Sequence, residues 1–154
     1  MEKDYPNWYL HSLSVDLGKT AVNVKRFFKK EYPRMCRVAG INPASIKSPS
    51  MDGMPKSEGF GNSAEEKVVD HLGKLEQVEL VLKAIRYCDA MSQFILIESL
   101  IQHKSNDIVS DELGYMNSRF SDYKTYALQA FADSYEGIAN VDLHIYADEE
   151  KIKS

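Results

Sequence analysis

The chain has 154 residues, a net charge of −4 and 44% hydrophobic residues, which suits one or two small domains with a real core. No run approaches the roughly 18 consecutive apolar residues of a membrane helix. The first residues lack the charged and apolar regions of a secretory signal, so a cytoplasmic protein with no membrane contact is expected.

Cys36 and Cys88 stand alone, and His11, His71, His103 and His144 are scattered without ligand spacing. Reduced thiols, no metal and no other cofactor are therefore expected. Charge is unevenly spread. Residues 1–56 hold ten Lys/Arg against five Asp/Glu, a net of +5, while residues 57–154 hold nine against eighteen, a net of −9. A basic front can neutralise phosphates and make binding salt-dependent. It can equally be the solvated face of a first helix.

Residues 1–41 read as a basic N-terminal helical region. Leu13, Val15 and Leu17 alternate, which permits a short strand. From Thr20 a helix is expected, with Leu17, Ala21, Val24 and Phe28 as its apolar stripe and Lys25, Arg26, Lys29 and Lys30 on the flanks. Pro33 interrupts that pattern and opens a short continuation to Ala39, closed by Gly40. Residues 42–62 carry Pro43, Pro49, Pro55, Gly53, Gly59 and Gly61 and read as a linker. Lys47, Lys56 and the hydroxyls there could follow a phosphate backbone.

Residues 63–137 read as a helical domain. Ser63-x-x-Glu66 is a capping box, and Val68, Leu72, Leu75, Val78, Leu82 and Ile85 continue at near-heptad spacing to Tyr87. Core packing accounts for that stripe better than a coiled coil, because no clean flanking charge pattern accompanies it. Gly73 weakens the helix and invites a bend. Asp89 can cap a further helix whose Phe94, Ile95, Ile97, Leu100 and Ile101 are too apolar for a surface element.

The stretch from Ser105 to Tyr135 organises the rest. Asn106 is a suitable N-cap, Ile108, Val109 and Leu113 fall at helical spacing, and Gly114 sits where a left-handed glycine ends a helix. Asn117 or Met116 opens a second helix, with Phe120, Tyr123, Ala127 and Phe131 on one face and Gly137 at its end. Helix, glycine turn and helix together form the pattern of a helix-turn-helix, whose second helix enters the DNA major groove. An αα-hairpin that only packs a core has the same spacing. In residues 138–154, Val141, Leu143 and Ile145 alternate with polar residues as a strand would, pairing with Leu13–Leu17 or with another subunit, before a charged tail. The fold class expected is mainly α: a helical bundle with a C-terminal helix-turn-helix and room for short terminal β-strands.

Several phrases resemble a known family. They are Lys47-Ser-Pro-Ser-Met-Asp-Gly-Met-Pro-Lys56, Phe60-Gly-Asn-Ser63, Leu113-Gly-Tyr115 and Ala127-Leu-Gln-Ala-Phe-Ala132, with Val24-Lys-Arg-Phe-Phe-Lys-Lys30 and Met35-Cys-Arg-Val-Ala-Gly40 before them. From about Lys19 to Tyr135 the chain is similar to the ArpU family of phage transcriptional regulators. The resemblance implies an activator of late phage genes for packaging and lysis, working in the cytoplasm of a Gram-positive host. It also implies a C-terminal half similar to sigma-factor region four. Transferred here, Val109, Ser110, Phe120 and Tyr123 pack the two helices together. Asn117, Ser118, Arg119, Ser121, Lys124 and Thr125 then face the groove.

Met116 stands where such helices often carry a Ser or Thr cap, so Asn117 is expected to take that role. Arg119 and Lys124 are few cations for a reading face, and Asp122 lies among them. Lys25, Arg26, Lys29 and Lys30, with Arg34 and Arg37, are the expected source of phosphate contacts. The expected partner is double-stranded DNA. A homodimer suits a weak reader, since two half-sites multiply it. Contact with host RNA polymerase is a second reading, motivated by the acidic back half, and a small DNA-binding packaging protein is a third.

No enzyme is expected. Glu65, Glu66, Asp70, Asp111 and Glu112 are explained by helix-dipole placement or solvation. The chain holds no GxSxG, P-loop or HExxH.

Overall fold

The computed structural model describes residues 14–48 and 69–147. The expectations for residues 1–13, the Ser63–Glu66 capping box, most of the Pro/Gly-rich stretch and the charged tail lie outside the described residues. Described are α1 (Leu17–Arg26), a π-helical turn (Phe27–Glu31), α2 (Tyr32–Ala39), α3 (Val69–Arg86), α4 (Ala90–Ile95), a second π-helical turn (Leu96–Ile101), α5 (Asn106–Leu113) and α6 (Asn117–Ala139). The fold is a helical bundle whose last two helices are joined by a three-residue turn. No described helix is long and apolar enough to cross a membrane.

The first helix starts at Leu17, three residues before the expected Thr20. Asp16 is the N-cap, its carboxylate accepting from the Lys19 amide at 2.9 Å, and Leu17 is 55% exposed. The capping carboxylate, one residue ahead of Leu17, sets the start, and the Leu17 side chain does not join the buried stripe. Pro33 does not break the rod. The turn before it widens, with the Tyr32 amide bonding five residues back to the Phe27 carbonyl. A wide turn relieves the clash a proline ring makes with the preceding turn, at a place where its missing N–H would otherwise leave a gap. Gly40, at φ +75°, then ends α2.

The core is built on aromatics from both ends of the described chain. Phe28 lies 4.8 Å from Phe131 between ring centroids, and Phe27 lies 5.3 Å from Tyr135. Val78, Val81, Leu82, Ala84 and Ile85 of α3 close one side of it, and Ile95, Leu96, Ile97, Leu100 and Ile101 close another. The described part of the near-heptad stripe, Leu75, Val78, Leu82 and Ile85, is thus core packing. The start of the expected linker is docked too: Ile46 is buried, and Gln102 donates to the carbonyls of Pro43 at 3.0 Å and Ile46 at 2.6 Å.

Neither cysteine is in a disulfide, and both thiols are harder to ionise than usual. Burial pushes the Cys36 thiol up and the Cys88 thiol up to about 11, with Cys88 tucked beside Ser134.

The expected terminal strands do not form among the described residues. Residues 141–147 run extended along α1 and make one antiparallel bridge, Val15 to Tyr146. Directly after the bridge the partner backbone turns into α1 at its Asp16 cap, so among the described residues the ladder does not extend. The segment is instead stitched to the helix. Asn23 donates to the Leu143 carbonyl at 2.8 Å, the Ile145 amide donates to Thr20 Oγ1 at 2.9 Å, and the Asp16 amide donates to the Ile145 carbonyl at 2.7 Å. Leu143 and His144 are consecutive and both buried, so the alternation expected of a half-buried strand fails as well.

Candidate nucleic-acid interface

Three residues separate α5 from α6, and the turn is specified locally. Gly114 has φ +77°; its amide bonds to the Asp111 carbonyl at 3.1 Å and the Tyr115 amide to the Ser110 carbonyl at 3.0 Å. That pair of bonds is a Schellman closure, which needs a left-handed residue at the glycine. A Cβ added at Gly114 meets nothing within 4 Å, so the cost of substitution there is conformational. Gly114→Ala is expected to lower stability by about 1–2 kcal/mol, checked by urea denaturation.

The packing residues implied by the resemblance are in place, whereas Ile108, set at helical spacing with Val109 and Leu113, is 51% exposed. Val109, Ser110 and Phe120 are buried, and the Tyr115 and Tyr123 rings lie 5.0 Å apart. Two caps differ from expectation. Ser105, not Asn106, caps α5, its hydroxyl accepting from the Ile108 amide at 3.4 Å. Met116 occupies the N-cap of α6 with no side-chain bond. Asn117 is therefore the first helical residue and not the cap. Nor does Gly137 end α6, which runs on to Ala139 and closes at a left-handed Asn140.

Asn117, Ser118, Arg119, Ser121 and Thr125 are all exposed, as is Asp122. Helical periodicity puts Ser118, Ser121, Asp122 and Thr125 on one face opposite the Phe120–Phe131 side, with Arg119 and Tyr126 on its flank. Thr125 returns its hydroxyl to the Ser121 carbonyl at 3.0 Å.

Lys124 departs from the expected set. It follows Phe120 by four residues, so its stem lies on the core side. It is half-buried, and its ammonium donates to Asn106 Oδ1 at 2.7 Å. Burial holds its pKa below the usual lysine value, and the charge of Lys25 on α1 presses the same way.

That coupling locates the basic front. Lys25 lies near Lys124, so α1, which packs on α6, brings positive charge to the side of the α5–α6 pair. Arg26, Lys29 and Lys30 are exposed along the same rod. Arg34 is elsewhere: it lines an open cleft with Phe27, Lys74 and Tyr135, toward the far end of α6. Arg37 is exposed on α2.

A second polar constellation escaped sequence reasoning. His144, with a side chain only 1% exposed, places Nε2 at 2.7 Å from Asp133 Oδ1. Its Nδ1 lies 2.6 Å from Asp142 Oδ1 and 3.3 Å from Glu136 Oε1. The Tyr146 hydroxyl donates to the other oxygen of Asp142. Chiefly through the bond to Asp133, and against the effect of burial, these carboxylates hold the His144 pKa above its usual value. Asp133 and Glu136 sit one turn apart on α6, which was visible. That residues 142–146 fold back onto them was not.

Among known proteins, the chain is 31% identical over 124 residues to a protein of Enterococcus hirae named as a candidate autolysin regulatory protein, ArpU. The match covers 79% of this chain and 90% of that one. The chain belongs to the ArpU family. No family model and no solved structure matches it. The matched length exceeds what α5 and α6 alone supply, so the kinship of this ArpU-family chain does not rest on its turn-helix phrase. A regulatory role follows from that kinship.

Proposed function

We propose that this ArpU-family chain is a sequence-specific DNA-binding transcriptional activator of phage late genes, for packaging and lysis, acting in the bacterial cytoplasm. The observation that carries the reading is the solvent-facing polar surface of α6 directly after the Gly114 turn. Ser118, Ser121 and Thr125 lie on it, with Asn117 at its start and Arg119 on its flank. These side chains can donate to or accept from base edges in a major groove, and Arg119 can take a guanine bidentately. Asp122, on the same face, suits a cytosine amino group. α5 and α6 would then act as a helix-turn-helix similar to that of sigma region four, binding duplex DNA as a homodimer.

Affinity would come from the first helix. Lys25, Arg26, Lys29 and Lys30 are exposed on a rod packed against α6, where phosphate contacts flanking the groove are needed. Lys124 contributes charge beside Lys25 and fixes α5 through Asn106; it does not read bases. The net of −9 over residues 57–154 favours a second reading, in which a sigma-like surface docks on host RNA polymerase and touches DNA incidentally. The two are separable: co-purification with polymerase in the absence of promoter DNA would support the second. A packaging protein would instead sediment as a ring or higher oligomer.

The test is retardation of DNA from upstream of phage late genes against scrambled DNA, across a salt series. Preference for the first is expected, and equal retardation would overturn the proposal. The Lys29→Ala, Lys30→Ala double variant should flatten the slope of log affinity against log salt by about 1.8, two lost phosphate contacts at about 0.9 each. An unchanged slope would remove those lysines from the interface.

A further inference from the structure

We propose that His144, Glu136 and Asp142 form a binding site for a divalent transition-metal ion of the zinc class, at the junction of α6 and the extended segment after it. This is independent of the DNA-binding reading. Clustered acidic residues alone would be ordinary surface. What sets this place apart is an imidazole whose side chain is 1% exposed and whose far nitrogen is already held by a carboxylate.

The donor set suits such an ion. One ligand atom each from Glu136, Asp142 and His144 lies within 4.8 Å of the others. Nδ1 and Glu136 Oε1 are 3.3 Å apart, matching the separation of about 3.3 Å between two ligands on a tetrahedral ion with bonds of about 2.0–2.2 Å. Asp142 Oδ1, at 2.6 Å from Nδ1, now sits at hydrogen-bond distance. Carboxylates only accept, so both ring nitrogens carry protons in this arrangement. The ion takes the place of the Nδ1 proton, which leaves to solvent, and Nδ1 and Oδ1 part by about 0.7 Å to reach ligand spacing.

The surroundings are those of a prepared site. Ligating histidines characteristically donate their other N–H to a carboxylate, which fixes the tautomer and raises basicity. Asp133 accepts from Nε2 at 2.7 Å in that role, and its Oδ1 is itself steadied by the Gln129 amide at 3.1 Å. The Tyr146 hydroxyl and the His144 main-chain amide orient Asp142. Three carboxylates surround one imidazolium, so a dication in place of a single proton brings the cluster closer to neutrality. Glu136 and Asp142 are 35% and 37% exposed while the imidazole is covered. The ion would thus enter from solvent and keep an open position for water. Bound there, it would fasten residues 142–146 to α6, and with them the first helix through Thr20 and Asn23.

The experiment is calorimetric titration of chelator-treated, dialysed full-length protein with ZnCl2, in two buffers of different ionisation enthalpy, with thermal melts alongside. One equivalent of zinc, about one proton released and a raised Tm are expected. His144→Ala should abolish the uptake. Asp133→Asn, which touches no ion, should weaken it about 10- to 100-fold. Glu136→Gln alters a helix-surface side chain and keeps the test valid if His144→Ala fails to fold; it should also weaken uptake at least tenfold. No saturable uptake by the folded protein would overturn the proposal. So would uptake that Glu136→Gln and Asp142→Asn leave unchanged, which would mark zinc held by other histidines or thiols.

Discussion

Phe131→Ala is expected to lower the free energy of unfolding by about 3–5 kcal/mol, read as a fall in the urea midpoint at constant m-value. Phe131 is fully buried and meets three rings: Phe28 at 4.8 Å, Tyr135 at 5.1 Å and Phe27 at 6.0 Å. Truncation removes the transfer energy of the ring and leaves a void that helices anchored on three sides cannot close. Aromatic pairs add about 0.5–1.5 kcal/mol each beyond area burial, which argues for the upper part of the range. A loss under about 1 kcal/mol would mean that the two ends of the chain do not share this core, since full burial of such a ring cannot be worth so little.

The second large effect concerns recognition. Arg119→Ala should erase about 1–3 kcal/mol of discrimination at a single base step, about 5- to 140-fold, while leaving non-specific retention of DNA nearly intact. Arg119 is exposed on the flank of α6 next to the turn, so its removal leaves the packing of α6 unchanged. The measurement is a competition titration of specific against scrambled duplex at fixed salt. Equal loss of both affinities would reassign Arg119 to phosphate contact. No loss of either would take it off the interface.

The features most legible in the sequence were those set within one or two helical turns. Gly114, Gly40, the Val109–Ser110–Phe120 packing set and the apolar stripe of residues 94–101 all obey local rules, and the structure places them accordingly. Failures followed wherever two local rules competed or a distant contact decided. Ser105 and Asn106 are both good caps, and spacing alone does not choose between them. Gly137 costs a helix roughly 1 kcal/mol, but Ile138 and Ala139 pack against the core and carry α6 past it. Pro33 was expected to interrupt the helix, whereas the widened turn before it carries the rod through, with Phe27 and Phe28 of that turn both buried in the aromatic cluster.

The candidate interface divides along the same line. Exposure of Asn117, Ser118, Arg119, Ser121 and Thr125 follows from their phase relative to Phe120. The phase of Lys124, four residues after Phe120, pointed inward, whereas the family resemblance set it among the groove-facing residues. Its nearness to Lys25 was not legible at all, because nearly a hundred residues separate them. The His144 constellation was hidden for a different reason. The four histidines show no ligand spacing along the chain, whereas the partners of His144 come from a helix end and the segment doubling back over it.

Phe27 and Phe28 leave the ribosome about a hundred residues ahead of Phe131, at a typical synthesis rate several seconds earlier. During that interval the nascent first helix has a bare aromatic side and none of its final neighbours from the last helix. Its lysines, by contrast, are charged from the start. A ribosome-bound fragment should therefore cling to ribosomal RNA or to a holdase, and should acquire its specific behaviour only when the closing segment has been made and can be stitched across Thr20 and Asn23.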